Sequence, residues 1–143
     1  YCTRMKIVRI DHVALCVPEL DGALAAWQSV LPLFLSAREY VPTQLTETAF
    51  LLTPAEADAC IELIAPLPRG QNAGLEKFLD KRGGLHHIAF AVEDIADALN
   101  ELAERGVPLI DKVPRPGARG HQVAFLHPKA LGGVLVELVS AHS

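Results

Sequence analysis

The sequence predicts an α+β fold of two tandem βαβββ modules, and three observations predict it. The stretch "IDHVALCVPELDGAL" at 10–24 returns as "LHHIAFAVEDIADAL" at 85–99, so that His12 matches His87 at an offset of 75 residues. At the same offset "AFL" at 49–51 returns at 124–126, and "IEL" at 61–63 returns as "VEL" at 136–138. In each copy an apolar strand-like run then passes into a segment with helical spacing of its apolar residues.

The elements follow in chain order. In the first copy a strand over 7–17 leads to a helix whose apolar face holds Leu20, Leu24, Trp27 and Leu31, with Asp21 near its start. Three shorter strands are expected around 33–40, 46–53 and 59–65. "LPRGQNAGLEKFLDKRGG" then links the copies and carries a short helix over roughly 73–82, closed by Gly83-Gly84. In the second copy the strand spans 85–92. Asp94 caps a helix whose stripe is Ile95, Ala98, Leu99 and Leu102, and Gly106 ends it. Strands around 108–113, 121–127 and 133–139 complete the copy. The whole of 1–143 reads as one domain: module one about 7–65, the linker with its helix 66–84, and module two about 85–139.

Composition narrows the function classes. A net charge of −4 without a basic block argues against nucleic acid or an anionic membrane as partner. No uncharged apolar run approaches the roughly 18 to 20 residues that cross a bilayer. "YCTRMKIVRID" turns polar too early for a signal peptide, and Met5 is read as the natural start with Tyr1 to Arg4 upstream of it. Cys2, Cys16 and Cys60 share no CxxC spacing and read as reduced thiols of a cytoplasmic protein.

Strand alternation puts His12 on one face with Ala14 and Cys16, opposite Val13, Leu15 and Val17. His87 likewise shares a face with Ala89 and Ala91, opposite Ile88, Phe90 and Val92. The bulky set is expected to meet the helix, and the small set to leave room before the histidine. Glu62 and Glu137 stand at equivalent places between apolar neighbours, where a carboxylate is costly unless paired or coordinated. Two His/Glu pairs related by the duplication point to one divalent first-row cation held by His12, Glu62, His87 and Glu137. Such a shell leaves two octahedral positions for water or substrate. His86 takes the place of Asp11 and faces the other way, as a rim residue. His121 and His127 read as surface or pocket-rim groups, and Trp27 as core.

These residues resemble the vicinal oxygen chelate superfamily and, within it, the methylmalonyl-coenzyme A epimerases. "FLDKRGGLHHIAF", "PRPGARGHQVAFLHPK" and "GGVLVEL" carry the more specific likeness. The resemblance implies a curved, barrel-like mixed sheet with helices outside, often dimeric, and a metal such as Co2+, Mn2+, Ni2+ or Zn2+. It implies an enzyme that interconverts the epimers of an acyl-CoA thioester by proton abstraction through a metal-stabilised enolate. Glu137 is the expected base on one side of the carbon and Glu47 on the other. Gln44, Arg119 and Lys129 are expected to touch substrate.

Two departures stand out. Thr43 and Leu45 replace the glutamate and glycine of the family's "PEQGV" wording, and some relatives carry a basic glutamate near Thr48. Glu47 lies one residue away, and a one-residue slip on a strand turns a side chain to the other face. Glu47 therefore serves only if a bulge turns it back. A glyoxalase I-type lyase or isomerase shares the ligand set and is the competing reading. A sequestering module of the same fold generally lacks those ligands.

Overall fold

The computed structural model describes residues 4–54 and 59–142; Cys2 lies outside the described residues. In chain order the elements are β1 (Ile7–Cys16), α1 (Leu20–Val30), β2 (Phe34–Val41), β3 (Thr46–Leu52), β4 (Cys60–Pro66) and α2 (Ala73–Lys81). They continue with β5 (Gly84–Val92), α3 (Ile95–Glu104), β6 (Arg115–Pro116), β7 (Gln122–Leu126) and β8 (Val136–Ser140). The expected α+β class and the repeated βαβββ order are both present, with parallel and antiparallel pairing in each copy. Among the described residues no helix is long and apolar enough to cross a membrane.

The chain forms two compact units. The N-terminal unit is His12–His86; the C-terminal unit is the described part of Tyr1–Asp11 with that of His87–Ser143. The first five residues of β1 thus belong with the second copy.

In the N-terminal unit the strand order is β2-β3-β4-β1. β1 runs parallel to β4, with Ala14 opposite Glu62, and β3 runs antiparallel to β4, with Phe50 opposite Glu62. Leu20 and Leu24 of α1 pack on Ala49, Leu51, Leu63 and Ala65, with Leu15 and Val17 at the edge of the cluster. The apolar face of α1 ends earlier than the spacing predicts. Leu31 is the extended residue that closes the helix and is 45% exposed. Glu19 caps the start by accepting from the Gly22 amide, and Asp21 lies in the first turn. On the other sheet face Leu75 of α2, with Phe78 and Leu79, packs on Cys16 and Ile64. Asn72 ties this helix down: it caps the Leu75 amide and donates to the carbonyls of Gln44 and Leu45.

In the C-terminal unit the order is β5-β8-β7-β6. Ile95, Ala98, Leu99 and Leu102 of α3 bury against Val92, Ala124, Leu126 and Leu138. Asp94 caps α3 through the Asp97 amide, as its position predicts, and Gly106 at φ 75° makes the left-handed exit that a side chain would resist. The strand expected at 108–113 is absent. Pro108, at its start, cannot donate to a ladder. The segment keeps one bridge, Leu109 to Leu126, while Asp111 accepts from the Phe125 amide. The ladder resumes only at Arg115–Pro116, opposite Gln122 and Val123. Gly117 follows, where an added Cβ would lie 2.6 Å from a Val123 methyl, so the backbone can approach that strand only without a side chain.

Candidate metal and proton-transfer site

Each unit builds the same local arrangement. In the N-terminal unit His12 Nε2 lies 3.1 Å from Glu62 Oε1, and both residues are buried. In the C-terminal unit His87 Nε2 lies 3.3 Å from Glu137 Oε1, again with both buried. The parallel pairings β1·β4 and β5·β8 put each histidine strand beside its glutamate strand, with matching side-chain faces. A phenylalanine completes each set: Phe50 stands edge-on to His12 at 5.7 Å between ring centroids, and Phe125 edge-on to His87 at 5.2 Å. The space expected before each histidine is therefore bounded by an aromatic ring. Both residues belong to the repeated "AFL", which by itself implies no role at the site. Their antiparallel partners, Glu62 and Glu137, were the signal that would have placed them.

Carboxylates buried to this degree are costly unless compensated. Glu62 is held at both oxygens, since Thr48 Oγ1 donates to Oε2 at 2.6 Å while Oε1 faces the imidazole. Separations of 3.1 and 3.3 Å suit a hydrogen bond from Nε2–H to the carboxylate. They equally suit neighbouring ligands of one octahedral cation, because bonds of about 2.1 Å at right angles leave donors roughly 3.0 Å apart. The donor set of imidazole nitrogens and carboxylate oxygens thus fits a divalent first-row ion.

Glu47 does not join this arrangement. The β3·β4 register runs unbroken from Thr46 to Leu51, and no bulge turns Glu47 round. Thr48 and Phe50 point to the His12 face, so Glu47 shares the opposite face with Ala49 and Leu51, which pack under α1. There its carboxylate accepts from Arg38, which also binds Asp21 of α1. Glu47 is a structural ion-pair residue, and the expectation that it acts as second base is corrected.

Gln44 is half-buried in a 3-10 turn, with its carbonyl held by Asn72. Lys129 is exposed on the turn Pro128–Leu131, its amide donating to His127 Nδ1. Arg119 adopts a left-handed backbone, φ 59° and ψ 25°, which is unfavourable for a residue with a Cβ. Its guanidinium binds Asp11 Oδ2 at 2.5 Å, and Asp11 is buried and also meets Arg9. Asp11 carries no expectation from sequence; an acidic residue between Ile10 and His12 on a strand-like run is the available sign. His86 rests edge-on to Phe78 at 5.0 Å, and His121 Nδ1 meets the Ser140 carbonyl at 2.8 Å.

Comparison with known proteins agrees with this architecture. Residues 11–125 match the model of the Glyoxalase/Bleomycin resistance protein/Dioxygenase superfamily. The ethylmalonyl-CoA/methylmalonyl-CoA epimerase of Cereibacter sphaeroides is 38% identical over 135 residues, covering 92% of this chain and 97% of that protein. The crystal structure of methylmalonyl-CoA epimerase from Mycobacterium tuberculosis superposes with a TM-score of 0.89 at 33% identity, covering 100% of this chain and 94% of that one. A variant of the Streptomyces coelicolor methylmalonyl-CoA epimerase, in complex with 2-nitronate-propionyl-CoA, gives a TM-score of 0.86 at 30% identity, covering 96% of this chain and 100% of that one. With likeness of this extent in sequence and in structure, the chain belongs to the Glyoxalase/Bleomycin resistance protein/Dioxygenase superfamily and, within it, to the methylmalonyl-CoA epimerase family.

Proposed function

We propose that this chain is a metal-dependent epimerase of methylmalonyl-CoA, or of a similar 2-substituted acyl-CoA, and that His12, Glu62, His87 and Glu137 hold its divalent cation. The observation that carries the reading is the duplicated buried pair, His12 with Glu62 and His87 with Glu137, in a chain whose relatives bear this activity in their names. A bound cobalt, manganese, nickel or zinc ion supplies Lewis-acid stabilisation of the charge that develops on substrate oxygens, worth several kcal/mol.

The protein residues supply the rest. Both imidazoles would offer an Nε2 lone pair to the ion, and Glu62 would contribute a carboxylate oriented by the Thr48 hydroxyl. Glu137 takes the proton from the carbon between the thioester and the carboxylate. The C–H electron pair moves toward the thioester carbonyl, and a proton returned to the opposite side of that carbon completes inversion. The second proton carrier is a group other than Glu47. Gln44, Arg119 and Lys129 are assigned to the substrate's carboxylate and CoA tail. A homodimer accords with the family resemblance, and buried Cys16 and Cys60, which form no disulfide, accord with a cytoplasmic setting.

The test is proton exchange. Methylmalonyl-CoA incubated in deuterium oxide with metal-loaded protein is expected to gain deuterium at the α-carbon. Absence of exchange over many half-times of a known epimerase control overturns the assignment.

A further inference from the structure

Thr46 carries a buried hydroxyl that the fold does not use. It opens β3 in the N-terminal unit, opposite Val41 on one side and Pro66 on the other. The residue is 5% exposed, and among the described residues its Oγ1 is closed to solvent and has no hydrogen-bond partner. Such a hydroxyl is destabilising, and valine would fill the same volume without that cost. Alternation places Thr46 on the face of Thr48, which donates to Glu62 at 2.6 Å, and of Phe50, which borders His12. Two residues along a strand span roughly 7 Å, so Thr46 stands about the length of a short acyl group from Thr48.

The turn before Thr46 carries a second cost. Leu45 adopts a left-handed backbone, φ 50° and ψ 47°, which a residue with a Cβ resists. At the duplication offset of 75 residues Leu45 corresponds to Gly120, which takes its φ of 73° without strain. Thr46 corresponds to His121, whose Nδ1 meets the Ser140 carbonyl at 2.8 Å. The second copy thus makes the same turn unstrained and with its polar side chain partnered. In the first copy Asn72 holds the turn by donating to the carbonyls of Gln44 and Leu45 at 3.0 and 3.2 Å. Backbone strain and an unmet hydroxyl at adjacent positions are departures that folds retain at functional sites.

We propose that Thr46 is a specificity-determining residue whose hydroxyl donates to an oxygen of the substrate's acyl group, either the carboxylate or the thioester carbonyl. The proposal rests on the epimerase reading above. Both acyl oxygens are acceptors, and the Thr46 hydroxyl is a donor with no acceptor of its own in the fold. Rotation about χ1 between staggered wells exchanges the places of hydroxyl and methyl, and this is the movement that substrate binding requires of an occluded Oγ1.

The experiment compares the parent with Thr46→Val and Thr46→Ser, first in urea denaturation without ligand. Deuterium exchange into methylmalonyl-CoA is then followed with each metal-loaded protein. Thr46→Val should keep or raise the urea midpoint, because it removes a hydroxyl that the free protein does not use. Its kcat/KM for exchange should fall roughly 5- to 100-fold, the range for one lost hydrogen bond to substrate, and Thr46→Ser should restore most of it. Propionyl-CoA, used as an inhibitor, keeps the thioester oxygen and lacks the carboxylate. Given that fall, weaker inhibition of Thr46→Val assigns the hydroxyl to the thioester oxygen, and unchanged inhibition assigns it to the carboxylate. A lowered urea midpoint in Thr46→Val shows a partner within the protein and overturns the proposal, as does an unchanged kcat/KM. Failure of the parent itself to exchange the α-proton overturns the epimerase reading instead, and the Thr46 role with it.

Discussion

Phe50 lies edge-on to His12 and directly across the ladder from Glu62, so one aromatic side chain borders both members of the N-terminal pair. It is 1% exposed, and its removal would leave a cavity beside two buried polar groups. Phe50→Ala is expected to cost about 3–5 kcal/mol in urea denaturation. Phe50→Leu keeps most of the volume and loses the edge contact, for a cost of about 1 kcal/mol. A Phe50→Leu variant as stable as the parent would show that the edge contact contributes nothing.

Glu137→Gln keeps the shape of the side chain and removes its charge and basicity. Cobalt affinity should fall sharply, and α-proton exchange should drop by roughly 10²- to 10⁴-fold, the range for losing a positioned base. Exchange at the parent rate would remove Glu137 from the chemistry.

Glu47→Gln breaks an ion pair with Arg38 whose partners are both partly open to solvent, at 37% and 23% side-chain exposure. Such pairs contribute about 0–1 kcal/mol. Cobalt affinity and exchange rate are expected to stay within about twofold of the parent. A loss of an order of magnitude in exchange alone would return Glu47 to the list of bases.

Burial pushes the Cys16 thiol up to about 11. In the unfolded chain a cysteine titrates near 8.5, roughly, so on raising the pH the unfolded state loses its proton first. The Cys16 contribution is therefore whole below about pH 8.5 and is lost as pH climbs toward 11. The urea midpoint should decline across that window more in the parent than in Cys16→Ala. At pH 8 a thiol reagent, followed by peptide mass, should label Cys16 slowly in the folded protein and fast after denaturation.

Glu101 of α3 is buried, accepts from the amides of Arg4 and Met5 at 2.6 and 2.8 Å, and pairs with Arg105 at 3.3 Å. Glu101→Ala should cost about 2–3 kcal/mol and speed hydrogen exchange at those two amides. Unaltered protection there would show that the N-terminal segment is held by other contacts.

The duplication, the order of elements and the two His/Glu pairs were legible in the chain because they depend on local rules. Apolar period, capping residues such as Asp94 and a strand's alternation act within a few residues of one another. Pairing geometry lies beyond those rules. Alternation alone set Glu47 and Thr48 on opposite faces, but which face carried His12 depended on the β3·β4 register and on α1 covering the other side. The partners of Thr48, Phe50 and Asp11 came from the same source, since each meets a residue 12 or more positions away. The failed strand at 108–113 shows the converse: apolar spacing was right, but the Asp111 side chain takes the Phe125 amide that a ladder carbonyl would accept, and the segment keeps one bridge. By itself the sequence determined which donor groups exist and that they come in duplicate. Tertiary structure decided which of them share a face, because a side chain's neighbours are set by strand register and helix cover, which no single segment encodes.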